Sequence, residues 1–252
     1  MTGASGAHLA AVLVGLLAGC DRGARPLRPP NVTPILLFNG KGVSVEDVAA
    51  FESILDNQHL AYSTVTSRQL ADMNESTVGA YRLLIVPGGN FETIGKHLTS
   101  NTLATIHGAV QGGLGYLGVC AGAILAGHNR YYDRSFDLVS GAEFDFYGET
   151  KRGVHKVAVA ISGPATATHE EYWEDGPELA GWGAVVARYP DGTPAVTEGM
   201  SGRGWVILAG VHPEAPATWR RGLAFSTPID VDHAYAAMLI DAALNRTWLP
   251  HD

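Results

Sequence analysis

The middle of the chain carries a cysteine at the junction of two apolar runs, and this junction restricts the folds open to the chain. Residues 114–117 lead into Gly118-Val119-Cys120-Ala121-Gly122, and a second apolar run follows. Because the small residues let the backbone turn tightly, the pattern predicts a strand, a sharp turn and a helix. The helix N-terminus would face the sulfur and favour its thiolate form. Cys120 is therefore predicted to be a nucleophile at an elbow; the alternative is a buried structural cysteine.

The remaining pattern predicts an α/β fold with a mostly parallel sheet and helices on both faces. Apolar runs alternate with amphipathic stretches in the first half of the chain, and the second half is richer in strands. The predicted strands are residues 34–38, 62–65, 81–86, 115–119, 154–161, 184–189, 194–197 and 205–208. The predicted helices are residues 45–57, 99–111 and 231–244. In open α/β sheets, functional residues gather at the carboxyl ends of strands.

The N-terminus carries the pattern of an exported, lipid-anchored protein. Residues 8–19 are small and apolar and end in Leu17-Ala18-Gly19-Cys20, which resembles the bacterial lipoprotein box. We expect a signal peptide at residues 1–19, a lipidated Cys20 with a Pro- and Arg-rich tether at 20–33, and one domain at 34–252. The protein would then be a membrane-anchored lipoprotein that faces the periplasm or the cell exterior. The alternative is an apolar N-terminal element of the domain itself.

Charge and cysteine content narrow the classes of partner. The net charge is −8, and no basic stripe or zinc-finger spacing is present, so a nucleic-acid partner is not expected. Neither a cofactor nor a metal site is predicted. If Cys20 is lipidated, Cys120 is the one remaining thiol, and a free thiol in an oxidising compartment favours a chemical role.

A histidine and two glycines follow other predicted strands and could complete a site around Cys120. His212 could serve as the base that a cysteine nucleophile requires, and Glu214, two residues on in extended chain, could orient the imidazole. Gly88 and Gly89 could bring backbone N–H groups close to a reacting carbonyl and, with the N–H of Ala121, form an oxyanion hole.

These motifs, in this order, resemble the class I glutamine amidotransferase-like superfamily, whose fold is flavodoxin-like. Within it, residues 84–89, 116–123 and 144–148 look most like the biotin-protein ligase N-terminal domain family. The resemblance implies Cys120 as nucleophile, His212 as base and Glu214 as its partner, with oxyanion donors at Gly89 and Ala121. It also implies a substrate-binding role for three residues of the 143–147 stretch, namely Glu143, Asp145 and Tyr147.

The resemblance implies a cysteine amidohydrolase, without a synthetase partner domain in this sequence. We expect attack on an amide or ester bond of a small molecule or peptide, a thioester intermediate and hydrolysis. The alternatives are a silent ligand-binding or sensing module on the same fold and, less favoured, a redox-sensing thiolate. A homodimer is an arrangement that the superfamily often adopts. His169-Glu170-Glu171 lacks a second metal-binding histidine and is predicted to be a surface turn.

Overall fold

The computed structural model describes Met1, residues 33–148 and residues 155–252. The predicted signal peptide apart from Met1, Cys20 and nearly all of the tether therefore lie outside the described residues. The helices in the described ranges are α1 Val45–Asn57, α2 Ser67–Ala71, α3 Glu75–Val78, α4 Phe91–Lys96, α5 Ser100–Gln111, α6 Ala121–Ala126 and α7 Ile229–Asn245. The strands are β1 Ile35–Phe38, β2 Tyr62–Val65, β3 Leu83–Val86, β4 Gly115–Val119, β5 His128–Asn129, β6 Glu143–Phe146, β7 Lys156–Gly163, β8 Thr166–Glu174, β9 Pro177–Glu178, β10 Ala184–Arg188, β11 Pro194–Ser201 and β12 Gly204–Ala209.

One nine-stranded sheet organises the domain, in the order β2-β1-β3-β4-β12-β11-β10-β7-β8. The strands from β2 to β12 are parallel, and those from β12 to β8 are antiparallel. The predicted α/β architecture is confirmed, and the strand-rich second half forms the antiparallel extension. A small three-stranded sheet, β5-β6-β9, lies beside it.

The parallel strands are buried on both faces, which explains their unbroken apolar sequences. Ile35 and Leu37 of β1 belong to the core on the face with α1 and α7, while Leu36 and Phe38 belong to the core on the opposite face with α5 and α6. This division follows from the alternation of side chains along a strand. The sheet is thereby covered by helices on both sides, as the sequence predicts.

Strand β8 was not expected from the sequence, and it changes the environment of His169. The expected surface turn is wrong, since His169 and Glu171 are 4% and 0% exposed. They lie on the same side of β8 because they are two residues apart, and the His169 ring packs edge-on against Tyr235 of α7 at 5.0 Å. Because polar residues occupy alternate positions on the buried face of β8, the sequence lacks the apolar alternation that would predict a strand there.

No helix within the described ranges combines the length and the apolar character that crossing a bilayer would require.

Candidate active site

Three neighbouring parallel strands end at the same edge of the sheet and deliver the predicted site residues. Strand β4 pairs with β3 on one side and with β12 on the other. Gly88 and Gly89 follow β3, Cys120 follows β4, and His212 follows β12. Because parallel strands run in one direction, their carboxyl ends bring these residues to one place.

Cys120 occupies a strained turn between β4 and α6. Its backbone has φ 49° and ψ −106°, a conformation that residues other than glycine rarely adopt. The Cys120 N–H donates to the Ala209 carbonyl at 2.8 Å, and the thiol donates to the Glu174 carbonyl at 3.8 Å. The residue is 6% exposed. This turn therefore has the sharp geometry that was predicted for the elbow.

Glycine at position 122 lets α6 approach β3 closely. A Cβ there would overlap the carbonyl oxygen of Val86. The Tyr116 hydroxyl donates to the Gly122 carbonyl at 2.6 Å and ties the helix to β4. These contacts fix the helix N-terminus behind the sulfur.

His212 and Glu214 form a buried hydrogen-bonded pair. His212 Nδ1 lies 2.8 Å from Glu214 Oε1, and both residues are buried. A turn brings the two side chains together, and in it the Ala215 N–H donates to the His212 carbonyl at 3.1 Å. The extended segment expected from the sequence is not present. The His212 N–H donates to the Tyr172 carbonyl at 2.8 Å, which anchors the loop to β8.

Asp47 is a further buried ionisable residue beside His212, and no motif in the sequence indicates that it lies there. It lies in the first turn of α1, is 0% exposed, and places Oδ1 at 3.5 Å from His212 Nδ1. In the sequence, Asp47 is an acidic residue near a helix N-terminus, where acidic residues are favoured for the helix alone. Only the docking of α1 over the sheet edge brings it to the histidine.

The electrostatics of this cluster favour a charged imidazole. Burial lowers the pKa of His212, but the charges of Cys120, Asp47 and Glu214 outweigh burial and raise the pKa well above its ordinary value. Burial raises the pKa of Glu214 to about 8; the His212 charge opposes this shift and the Asp47 charge adds to it. The neighbouring charges therefore favour the positively charged imidazole, and burial favours the protonated form of Glu214.

The predicted oxyanion donors divide into two groups. Gly89 and Ala121 line the cavity in front of Cys120, whereas Gly88 is not part of its wall. Within the described residues, no acceptor takes the N–H of Gly89 or of Ala121. Both residues therefore combine a place in the cavity wall with an N–H group that no described residue accepts. Gly89 has φ +141°, a conformation suited to glycine.

The cavity has a volume of about 470 Å³ and combines aromatic and acidic walls. Its aromatic residues are Phe91, Phe146 and Trp219. Its charged residues, besides those at His212, are Glu46, Lys156, Glu174 and Asp175. The Trp219 indole donates to Glu46, and Lys156 pairs with Glu174 at 3.3 Å. The volume suits a small molecule or a short peptide side chain.

Two of the three residues expected to bind substrate, Asp145 and Tyr147, flank the cavity residue Phe146 in sequence but are not part of the cavity wall. Asp145 pairs with Arg130 and accepts from Tyr131. Tyr147 stacks on Tyr189 at 3.6 Å between ring centroids. Phe146, between them, lines the cavity instead, because alternate residues of β6 face opposite sides. Glu143 begins β6, and its side chain lies outside the described part of the structure.

Asp47, His212 and Glu214 could also serve as cation ligands, since their ligand atoms all lie within 4.8 Å of one another. The Nδ1–Oε1 distance of 2.8 Å is that of a hydrogen bond, so His212 and Glu214 already satisfy each other. A metal ion would have to displace that proton.

Residues 33–158, half of the chain, match the family model described as "Biotin-protein ligase, N terminal". The chain belongs to this family. The fold is that of the class I glutamine amidotransferase-like superfamily, which confirms the resemblance drawn from the motifs. No curated protein matches the chain.

Solved structures share the fold at low sequence identity. PurLQS from Thermotoga maritima superposes with a TM-score of 0.57 at 18% identity, over 83% of this chain and 99% of that one. The exo-beta-1,4-mannosidase Op5Man5 from Opitutaceae bacterium strain TAV5 gives 0.55 at 14% identity, over 88% of this chain and 37% of that one. The cytoplasmic protein STM1381 from Salmonella typhimurium LT2 gives 0.54 at 10% identity, over 84% and 99%. Such identities establish the fold alone.

Proposed function

We propose that the protein is a cysteine-dependent amidohydrolase that cleaves an amide-type bond, or an ester, in a small molecule or peptide. The observation that carries this proposal is that Cys120, at its strained elbow, and His212, held by buried Glu214, line one cavity. A nucleophile, a base and a group that orients the base are what acyl transfer to an enzyme requires.

The reaction would proceed in two steps. The Cys120 sulfur attacks the substrate carbonyl carbon, and the N–H groups of Gly89 and Ala121 bind the oxygen as it gains negative charge. Imidazolium His212 gives its proton to the leaving amine, which leaves a thioester on Cys120. Neutral His212 then takes a proton from water, which attacks the thioester and releases the acid. Glu214 keeps the imidazole oriented throughout.

The first experiment measures the rate of Cys120 alkylation by iodoacetamide against pH, and it requires no substrate. In a Cys20→Ala background, where Cys120 is the one remaining cysteine, we expect alkylation at neutral pH to be much faster than that of a free thiol. His212→Ala should slow the reaction at neutral pH at least about tenfold, since the cysteine loses its cationic partner.

The control is His97→Ala, which removes an exposed histidine at the end of α4. It should leave the alkylation profile unchanged. The proposal would be refuted if the alkylation rate of Cys120 varied with pH as it does for an ordinary thiol in both the parent and the His212→Ala protein. A positive result would justify a screen of amides and esters in which Cys120→Ala abolishes turnover.

A ligand-binding or sensing module is the second candidate. It is favoured by the position of the thiol, which is 6% exposed and donates to the Glu174 carbonyl, so the sulfur is already engaged. This candidate requires a ligand whose affinity is unchanged in Cys120→Ala and from which no product forms.

We further propose that the domain is held at a membrane surface, outside the cytoplasm, by lipid on Cys20. The support is the Leu17-Ala18-Gly19-Cys20 sequence and the tether that follows it. Radiolabelled palmitate should be incorporated into the protein in a bacterial host, and Cys20→Ala should abolish incorporation. Equal labelling of the two proteins would exclude Cys20 as the lipidation site.

A further inference from the structure

Asp47 is a buried carboxylate without a hydrogen-bond donor of its own. Neither of its oxygens has a hydrogen-bond partner among the described residues, and the second oxygen of Glu214 also has none. Leaving a buried acceptor unsatisfied is costly, and more so when the acceptor is charged. A residue in such a position therefore needs a reason to be there, and the neighbouring His212 supplies one.

The local structure holds Asp47 against His212 by two devices. Ser44 caps α1 by accepting the Asp47 N–H at 3.2 Å, and the Ser44 N–H donates to the Gly88 carbonyl at 3.0 Å, so the helix start is joined to the end of β3. Because Gly88 has no side chain, the space between the Asp47 and His212 side chains stays open. A Cβ at position 88 would lie 2.5 Å from Asp47 Oδ2 and 2.5 Å from His212 Cε1.

The cluster places two carboxyl groups and one imidazole close together in the interior. Two carboxylates and one imidazolium leave a negative charge in the interior, and a thiolate on Cys120 would add another. Burial raises the pKa of Glu214 and favours its protonated form. Asp47 Oδ1 faces His212 Nδ1 at 3.5 Å, a distance too long for a good hydrogen bond but short enough for a charge interaction with an imidazolium.

We propose that Asp47 is a positioning residue that, together with Glu214, holds His212 as an imidazolium facing Cys120. Both carboxyl groups face Nδ1, Glu214 at 2.8 Å and Asp47 at 3.5 Å, so the histidine has two acidic partners from separate parts of the chain. This inference deepens the proposed function, on which it rests for the role of the imidazolium as proton donor to the leaving group. The ionisation of His212 can nevertheless be measured whether or not the protein is a hydrolase.

Other ionisable groups around His212 must be counted before its titration is interpreted. Tyr172 of β8 stacks edge-on against the imidazole at 5.8 Å, and Glu171 and Glu174 lie on the same strand. Trp219 also packs edge-on against the imidazole at 5.5 Å, lies 5.1 Å from Tyr172 and is not ionisable. Asp47 is the carboxylate of α1 that contacts the ring.

The experiment follows the His212 imidazole by nitrogen-15 NMR across pH in the full chain, with the signal assigned by its loss in His212→Gln. Asp47→Asn keeps the shape of the side chain and removes the charge, so the His212 midpoint should fall by about one pH unit or more. Asp56→Asn makes the same change at an exposed position of the same helix and should leave the midpoint in place. An unchanged midpoint in Asp47→Asn overturns the inference.

Two further variants keep the inference falsifiable if Asp47→Asn does not fold, as judged by circular dichroism. Asp47→Ser removes the carboxylate with a smaller side chain, and Gly88→Ala retains both groups but pushes them apart; each should lower the midpoint. A shift caused by Glu214→Gln alone, with none from these variants, overturns the inference. So does a His212 midpoint in the parent protein that moves when EDTA is added, because a bound cation would then hold the carboxylates.

Failure of the inference can be told from failure of the proposed function. If Cys120 is alkylated as an ordinary thiol but the His212 midpoint falls in Asp47→Asn, the hydrolase proposal fails and the role of Asp47 stands. If Cys120 is activated through His212 but the midpoint is the same in Asp47→Asn, the role of Asp47 fails and the hydrolase proposal stands.

Discussion

At the scale of single residues, the cysteine combines a reactive group with an unfavourable backbone. The positive φ of Cys120 is held by the bond from its N–H to the Ala209 carbonyl and by the close approach of α6 to β3. Strain of this kind persists only where the surrounding structure over-determines it, and it concentrates at functional sites. Here the strained residue lies in the wall of the cavity.

The strain predicts an unusual order of stability among variants of Cys120. Cys120→Gly should be more stable to unfolding than Cys120→Ala by about 1 kcal/mol, because glycine adopts positive φ freely. Urea unfolding measures the difference. In Ala126→Gly, within α6 and without positive φ, the glycine should instead cost about 1 kcal/mol or more. If Cys120→Gly were the less stable of the two cysteine variants, the backbone of the elbow would not be strained.

At the scale of elements, the site is assembled from the ends of three parallel strands and the start of α1. The strands β3, β4 and β12 are neighbours in the sheet, so Gly89, Cys120 and His212 come together without any long loop. The fourth contribution, Asp47, depends on the N-cap of α1 and its bond to Gly88. Precision in the site therefore depends on how closely the helices approach the sheet edge.

The approach of α6 predicts that Gly122→Ala is strongly destabilising. The added Cβ overlaps the Val86 carbonyl oxygen, which cannot move without shifting β3, so we expect a loss of roughly 1–3 kcal/mol or more in unfolding free energy. Slower alkylation of Cys120 should accompany it. Urea unfolding and the alkylation rate test these two effects.

A matched control is Gly108→Ala in α5. Its added Cβ would meet the carboxylate of Glu75, the end of a flexible side chain on the surface. Alanine favours a helix over glycine by about 1 kcal/mol, so this variant should be neutral or more stable. Equal losses in the two variants would mean that the contact with Val86 is not what matters.

At the scale of the whole molecule, buried ionisable groups extend from the site into the packing of α7. His169 Nε2 lies 2.8 Å from Glu171 Oε1, and Arg220 Nη1 lies 3.1 Å from Asp232 Oδ2. Burial raises the pKa of Asp232 to about 8, with the Glu171 charge adding to the shift and the Arg220 charge opposing it. Burial likewise raises the pKa of Glu171, against the opposing charge of His169.

These raised pKa values predict that the domain loses stability as pH increases. Acids with raised pKa values bind more protons in the folded chain than in the unfolded chain, where they titrate near pH ~4. Their stabilising contribution is present below that value and is lost as pH rises toward about 8, the pKa of both Asp232 and Glu214. The thermal midpoint should therefore fall between pH 5 and pH 9, the range over which we would measure it by circular dichroism.

Asp232→Asn should make this decline shallower, because it removes one of the groups responsible. Asp230→Asn changes an exposed residue in the same turn of α7 and should leave the slope as it is. A thermal midpoint that rises steadily over this range would contradict the assignment of raised pKa values to the buried acids.

The sequence by itself determined the elbow, the parallel strands of the first half and the ends at which the site residues lie. These features are local: apolar periodicity, small residues at a turn and caps such as Ser44 act over a few neighbouring positions. Helix α1, predicted at residues 45–57, has those bounds in the structure, and β2 has the predicted 62–65.

Tertiary structure alone decided which charges meet in the interior. Asp47 reaches His212 from another element, Phe146 rather than Asp145 faces the cavity, and His169 is buried because β8 packs on α7. Each of these depends on the lateral placement of elements far apart in sequence, and no short-range pattern encodes that placement. The pKa values of such groups depend on burial and on neighbouring charges, so they too are properties of the folded chain.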